Sequence, residues 1–187
     1  MNEPIGPTLE SRLEVPPPEG TLLRIFHSMG LFRQIMEPYF AKFGISGPQW
    51  AVLRILEQAY HHGEHSLPQK EISRRLLIQP PSVTALVDRL ERLGLLQRSP
   101  SDDLRVRMVG LTDPGRKLIA KILENHPAHV RSLFSGLTPA ELGVFHDLLG
   151  KLGAHLTALA ADAQLPPAIS TNNSKAKPRP QRSPNTQ

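Results

Sequence analysis

Cysteine is absent from the 187 residues of this chain, which excludes every control mechanism that runs through a thiol, a disulfide or a sulfenic acid. No apolar run approaches the ~18–20 residues of a membrane span, and the N-terminus lacks the basic, apolar and cleavage segments of a secretory signal. A cytoplasmic protein without membrane attachment is expected. Also missing are a Gly-rich phosphate loop, a nucleophile elbow and paired catalytic carboxylates. Neither catalysis nor a bound cofactor is therefore expected. The 39% hydrophobic content supports a core, although only one Trp and two Tyr are available to it.

One string touches metal chemistry. His61-His62-Gly63-Glu64-His65 matches the His-x-x-Glu-His pattern of inverted zinc peptidases, in which a helix presents both histidines to zinc and the glutamate acts as base. Its context disagrees: Gly63 sits at the centre, Pro68 follows closely, and the string falls between two helical patterns where a loop is expected. Solvent-exposed loop histidines are the expectation. The alternative is a metal-responsive regulator that uses His61, His62 and His65, or His126 and His129.

What the chain does have is positive charge, 22 basic against 17 acidic residues for a net +5 and a pI near 9.9. That balance suits a polyanionic partner without establishing one. The length favours one domain of ordinary size plus tails. Residues 1–20, with Glu3, Glu10, Glu14 and Glu19, read as an acidic disordered tail, and 161–187 as a basic Pro-rich one. Lys175, Lys177, Arg179 and Arg182 in the second tail either add sequence-independent, salt-sensitive DNA contact or have no role.

The middle of the chain is the most informative part. Ile72 and Leu76, with Ile78, fall on one side of a short helical pattern, while Lys70, Arg74 and Arg75 fall elsewhere. Gln79-Pro80-Pro81 interrupts it, because the residue before proline avoids helical angles and proline is tolerated in a first turn. A second helix is predicted from Pro80, with Val83, Leu86, Val87, Leu90 and Leu93 inward and Ser82, Thr84, Ala85, Asp88, Arg89 and Arg92 outward. Gly94 supplies its stop. Leu95–Arg98 and Arg105–Leu111 then read as a hairpin with a charged tip. Arg105 and Arg107 share one face of its second strand, Val106 and Met108 the other. Small hydroxyl residues at the start of the second helix can approach base edges in a major groove, and an arginine on the hairpin can reach the adjacent minor groove or its phosphates. For any one of these arginines the alternative is a solvated hairpin held by local Asp/Arg pairs.

The run from Val83 to Leu118, VTALVDRLERLGLLQRSPSDDLRVRMVGLTDPGRKL, resembles the recognition helix, wing and following helix of MarR-family winged helix-turn-helix regulators, including Asp103-x-Arg105 at the wing tip and the Leu111-Thr112 ending. Ile45–Leu53 is similar to the family's second helix, and the resemblance spans roughly residues 21–160. It implies a homodimer with an all-helical dimerisation domain and two DNA-reading lobes, acting as a repressor released by a small ligand. Ala85 departs from the longer polar side chain of many members, and Leu104 replaces a common wing arginine.

The flanking helices fit that plan. Leu22, Ile25, Phe26, Met29, Phe32, Ile35, Met36, Tyr39, Phe40 and Phe43 form a broad apolar stripe on a first helix, bent or broken near Pro38. Ser46 to Gln49 is a capping box opening a second helix, and Thr138 to Glu141 another, ahead of Leu142, Phe145, Leu148, Leu149, Leu152, Leu156 and Leu159. These stripes ask for a partner copy, the alternative being an intramolecular bundle. By resemblance the ligand pocket lies where the first two helices meet the reading lobe, with His27, Phe32, Met36, Trp50 and Arg54 as candidate lining. A partly buried Arg54 would favour an anionic aromatic effector.

The sequence therefore predicts a mainly α fold with a small β-hairpin wing. Residues 21–60 carry the first dimerisation and pocket helices, 61–112 the winged helix-turn-helix, and 113–160 the C-terminal dimerisation helices. The candidate DNA-contacting residues are Gln69, Arg74, Arg75, Pro80, Ser82, Thr84, Ala85, Arg89, Arg92, Arg98, Asp103, Arg105 and Arg107. The partner is a pseudo-palindromic duplex with half-sites about 10 bp apart. A winged-helix module that binds protein and not DNA is the other reading.

Overall fold

The computed structural model describes residues 15–99 and 106–162. Six helices and three short strands follow in the order α1 (Glu19–Ala41), α2 (Gly47–His61), β1 (Ser66–Pro68), α3 (Gln69–Leu76), α4 (Pro80–Arg92), β2 (Leu96–Ser99), β3 (Met108–Leu111), α5 (Asp113–Leu133) and α6 (Pro139–Asp162). Mainly helical architecture with a small antiparallel sheet is what the periodicities predict. Among the described residues no helix is long and apolar enough to cross a membrane.

Local chemistry explains most of the boundaries. Ser46 accepts from the Gln49 amide while the Gln49 side chain accepts from the Ser46 amide at 2.8 Å, a reciprocal cap that starts α2. Thr112 caps α5 by accepting from Gly115 N–H at 3.1 Å, and its hydroxyl donates to the Gly94 carbonyl at 2.7 Å. Ahead of α6 the Glu141 carboxylate accepts from the Thr138 amide and hydroxyl, both at 2.8 Å. Those bonds lower the Glu141 pKa. Gly94, at φ 70°, turns the chain out of α4.

Two features differ from the expectation. α1 runs unbroken through Pro38 to Ala41, so the proline is accommodated within the helix. The hairpin becomes a three-stranded sheet of order β1-β3-β2, because Ser66, Leu67 and Pro68 pair antiparallel with Gly110, Val109 and Met108. β1 is an edge strand, the position where a proline removes no ladder bond that the sheet needs.

The core lies under the sheet and around α2. Leu53, Ile72, Leu90, Ile119, Ile122, Val52, Val83, Val87 and Val109 are fully enclosed. Gly115 allows α5 to start directly against the β2 entry, since a Cβ there would run into the Leu95 carbonyl oxygen. α6, by contrast, has no buried residue. Leu142, Phe145, Leu149, Leu152, Leu156 and Leu159 are exposed along it, as are Leu22, Phe26, Met29 and Ile35 along α1.

Candidate nucleic-acid interface

α3 and α4 meet through a turn whose bonds are all local. Leu77 adopts the left-handed conformation, φ 54° and ψ 36°, with its N–H donating to the Arg74 carbonyl and the Ile78 N–H to that of Ser73, both at 3.3 Å. The buried Ser73 hydroxyl donates back to the Ile78 carbonyl at 2.5 Å. Ile78 consequently lies past the end of α3, not on it. α4 begins with Pro80 and Pro81, which bring no N–H groups, and the Ser82 N–H is already bonded to the Gln79 carbonyl. Its N-terminus therefore offers few free donors, and contacts from this end fall to side chains.

Val83, Val87 and Leu90 anchor the inner face of α4. Ser82, Ala85, Arg89 and Arg92 are exposed on the other face, and Pro80 is exposed at its start. Thr84 is half-buried, and its hydroxyl donates to the Pro80 carbonyl at 3.1 Å. The Arg92 Nε donates to the Asp88 carbonyl at 3.3 Å. Leu93, placed inward by periodicity, is 51% exposed, because the helix closes at Arg92 and the chain leaves its axis there.

On α3 the guanidinium groups of Arg74 and Arg75 both hold Glu71, each through a 2.6 Å contact, and Arg75 also reaches Glu64 at 3.4 Å. The hydrogen bonds from Arg74 and then Arg75 bring the Glu71 carboxyl down to about 2. Gln69 opens α3 with its N–H on the Arg107 carbonyl at 3.0 Å, fastening the wing to the helix-turn-helix. Its side-chain Nε2 is buried without a partner among the described residues.

In the wing, Arg98 pairs with Val109 and Ser99 with Met108. The Arg98 guanidinium binds Asp88 and Glu91 of α4. β3 begins at Met108, leaving Val106 and an exposed Arg107 outside the strand. Asp103, Leu104 and Arg105 lie outside the described residues.

The five candidate pocket residues separate into groups. Trp50 is buried with its ring centroid 5.5 Å from Phe40 and 5.2 Å from His126. Arg54 lies over that indole at 5.6 Å and is paired with Glu57. His27 lines a groove along α1 with Phe26, Arg33 and Glu37. Phe32 lines another with Ser28, Ile35 and Ser132. Met36 is half-buried against the core.

From the sequence, His126 and His129 stand out only as possible metal ligands. Here His129 stacks on Tyr39 at 4.3 Å and 10°, the Tyr39 hydroxyl donates to the Ile122 carbonyl at 3.1 Å, and burial raises the Tyr39 pKa. Burial, then the nearby Arg54 charge, then His129, depress the His126 pKa. Spacing of three on one helix was the available signal; the stacking partner on α1 was not visible. His61, His62 and His65 are exposed, with His61 Nε2 3.8 Å from Glu57 and the His65 ring 5.0 Å from Tyr60. Among the described residues no three metal-capable side chains converge.

The arrangement is a two-helix reader with an attached wing, and comparison with other proteins agrees with it. A sequence profile of the MarR family matches residues 43–105. The HTH-type transcriptional regulator PecS of Dickeya dadantii is 30% identical over 138 residues, 73% of this chain and 80% of PecS. The Staphylococcus aureus MepR–DNA complex superposes with a TM-score of 0.64 at 25% identity, covering 75% of this chain and 99% of MepR. BpsR of Bordetella bronchiseptica, whose DNA binding is regulated by 6-hydroxynicotinic acid, superposes with a TM-score of 0.62 at 25% identity over 72% of this chain and 97% of BpsR.

Proposed function

Because the chain belongs to the MarR family of DNA-binding transcriptional regulators, a non-enzymatic family, we propose that it acts as a homodimeric repressor released by a small aromatic anion. The observation that carries the dimer is α6, 24 residues and about 36 Å long, without one buried side chain. An apolar surface of that extent on α1 and α6 favours a second copy, and two-fold pairing is the economical closure.

In the complex α4 of each copy enters a major groove with Ser82, Thr84 and Ala85 foremost and Arg89 and Arg92 towards the backbone. The wing, with Arg107 and Arg105, lies on the flanking groove. Gln69, Lys70, Arg74 and Arg75 at α3 border the same surface. Covering two successive turns excludes other proteins from them, which is repression when the site overlaps a promoter.

For the release signal, BpsR supplies the precedent of an aromatic acid. Arg54, held by Glu57 over Trp50, is the guanidinium such a carboxylate would take over. An effector acts only through unequal affinity for the DNA-competent and incompetent lobe spacings.

Selection of bound fragments from random duplex DNA, alongside sedimentation of the free protein, tests this reading. A two-fold motif with half-sites about one helical turn apart and a dimeric mass are expected. Leu152→Lys, on the exposed face of α6, should yield monomers with lost binding. A monomeric wild-type protein, or an asymmetric single-site motif, would refute the dimer. Trp50, the sole tryptophan, reports the effector: 6-hydroxynicotinic acid and related aromatic carboxylates should change its fluorescence in the wild type and not in Arg54→Gln.

A further inference from the structure

We propose that Arg98 is a positioning residue for DNA recognition: from the wing it clamps the two carboxylates of the recognition helix, setting helix against wing and keeping those carboxylates away from phosphate. The proposal rests on the DNA-binding reading. Asp88 and Glu91 stand three residues apart on α4, within one turn of the same side. The Arg98 guanidinium spans them, Nη2 donating to Asp88 Oδ1 and Nη1 to Glu91 Oε2.

Three observations separate this role from a direct DNA contact. Both terminal nitrogens are engaged within the protein, and Nε is buried without a partner among the described residues. The side chain is 25% exposed, against 50% for Asp88 and 36% for Glu91, so the cation is the most covered member of the cluster. Its backbone is held in the sheet opposite Val109. Only Leu93, Gly94 and Leu95 connect α4 to β2, so a bridge across this short link fixes the helix relative to the wing. Without Arg98 the side of α4 carrying Asp88 and Glu91 would present two uncompensated negative charges to a polyanion.

The test measures affinity for a duplex selected by the wild-type protein and for a random duplex, across a range of salt concentrations. Arg98→Gln should lower the selected-over-random affinity ratio about tenfold, within the range for one misread base pair. With both carboxylates neutralised, as Asp88→Asn/Glu91→Gln, adding Arg98→Gln should leave the slope of log Kd on log salt unchanged. In an Asp88→Asn/Glu91→Gln background the same substitution should have little further effect. A slope lower by about 0.9, the value of one lost phosphate contact, with an undiminished loss in that background, would overturn the proposal. If Arg98→Gln does not fold, Asp88→Asn/Glu91→Gln alone breaks the bridge from the other side: a reduced ratio supports the proposal and an unchanged ratio overturns it. Failure of the wild type to enrich any duplex is a separate result that removes the DNA-binding reading itself.

Discussion

Leu77 holds the turn between α3 and α4 in a conformation that leucine disfavours. At φ 54° and ψ 36° its Cβ crowds the following carbonyl, a strain of roughly 1–2 kcal/mol for an L-residue that asparagine partly escapes through local hydrogen bonding. Burial does not offset the strain, because the side chain is 91% exposed. Nor can the turn relax cheaply, since the Leu77 and Ile78 amides and the Ser73 hydroxyl are all committed to it. Leu77→Asn should therefore stabilise the protein by about 0.5–1 kcal/mol, a fraction of that strain. Leu77→Gly should gain less, because the freedom glycine adds to the unfolded chain takes back roughly 0.4–1 kcal/mol. Leu77→Val, stiff at χ1, should lose stability. In a protein of this size 1 kcal/mol corresponds to roughly 2–4 °C in Tm. Thermal and urea unfolding at one fixed protein concentration should give the order Asn, Gly, Leu, Val. An asparagine variant no more stable than the parent would refute the reasoning and mean that Leu77 gains a packing partner in solution.

Other perturbations reach different parts of the fold. Gly115→Ala drives a Cβ into the Leu95 carbonyl, a backbone atom that cannot swing aside, and should cost about 2–3 kcal/mol in urea unfolding; a loss below about 0.5 kcal/mol, the range of a neutral surface change, would contradict that close approach. His126 resists protonation when folded, so the unfolded chain takes up the proton first and stability should decline as pH falls below about 6.5; His126→Phe should flatten that decline, and an unchanged slope would show that His126 titrates freely. Glu71 has the same sign from a different cause, a carboxyl drawn down to about 2 by the arginines that hold its charged form, whose contribution is complete above its ordinary pKa and lost as pH falls from there towards 2. Its side-chain carboxyl resonance should titrate near that low value, move upward in Arg74→Gln/Arg75→Gln, and move upward with added salt; a midpoint in the ordinary glutamate range would remove the ion pairs in solution.

Features written in local chemistry were readable from the chain. The Ser46/Gln49 and Thr138/Glu141 caps, the proline start of α4 and the Gly94 stop each depend on residues within four positions of one another, and each stands where spacing put it. β1 escaped because three residues, Ser66 to Pro68, carry no alternation. Its identity comes only from pairing with residues 108–110, forty or more positions later. Periodicity adds Ile78 and Leu93 to helix stripes that end one or two residues sooner, since a periodic pattern does not show where the backbone leaves the helix axis.

Charge was legible in the same limited way. The sequence displays a cation but not what neutralises it. Arg74 and Arg75 lie three and four residues after Glu71, so their pairing could have been inferred from helical spacing. Arg98 meets Asp88 and Glu91 across a change from helix to strand, and no periodicity relates them. An arginine in the wing therefore reads as a DNA contact until the fold shows two carboxylates on it.

The pocket candidates failed to converge for a related reason: the apolar stripe of α1 is wider than one interface, so His27 and Phe32 line separate grooves while Met36 faces the core. Periodicity located the stripe and could not say which part of it one copy buries. The fold makes that division, since Tyr39 and Phe40 at the C-terminal end are enclosed while Leu22, Phe26 and Met29 at the other end stay bare, as α6 does along its length. Helices of this kind draw stability from burial more than from propensity. α6 and the first half of α1 should accordingly become protected from amide hydrogen exchange as protein concentration rises, while the enclosed strands and α2 keep the same protection throughout. Exchange on α6 as slow in dilute as in concentrated solution would mean that the helix is stable without a second copy.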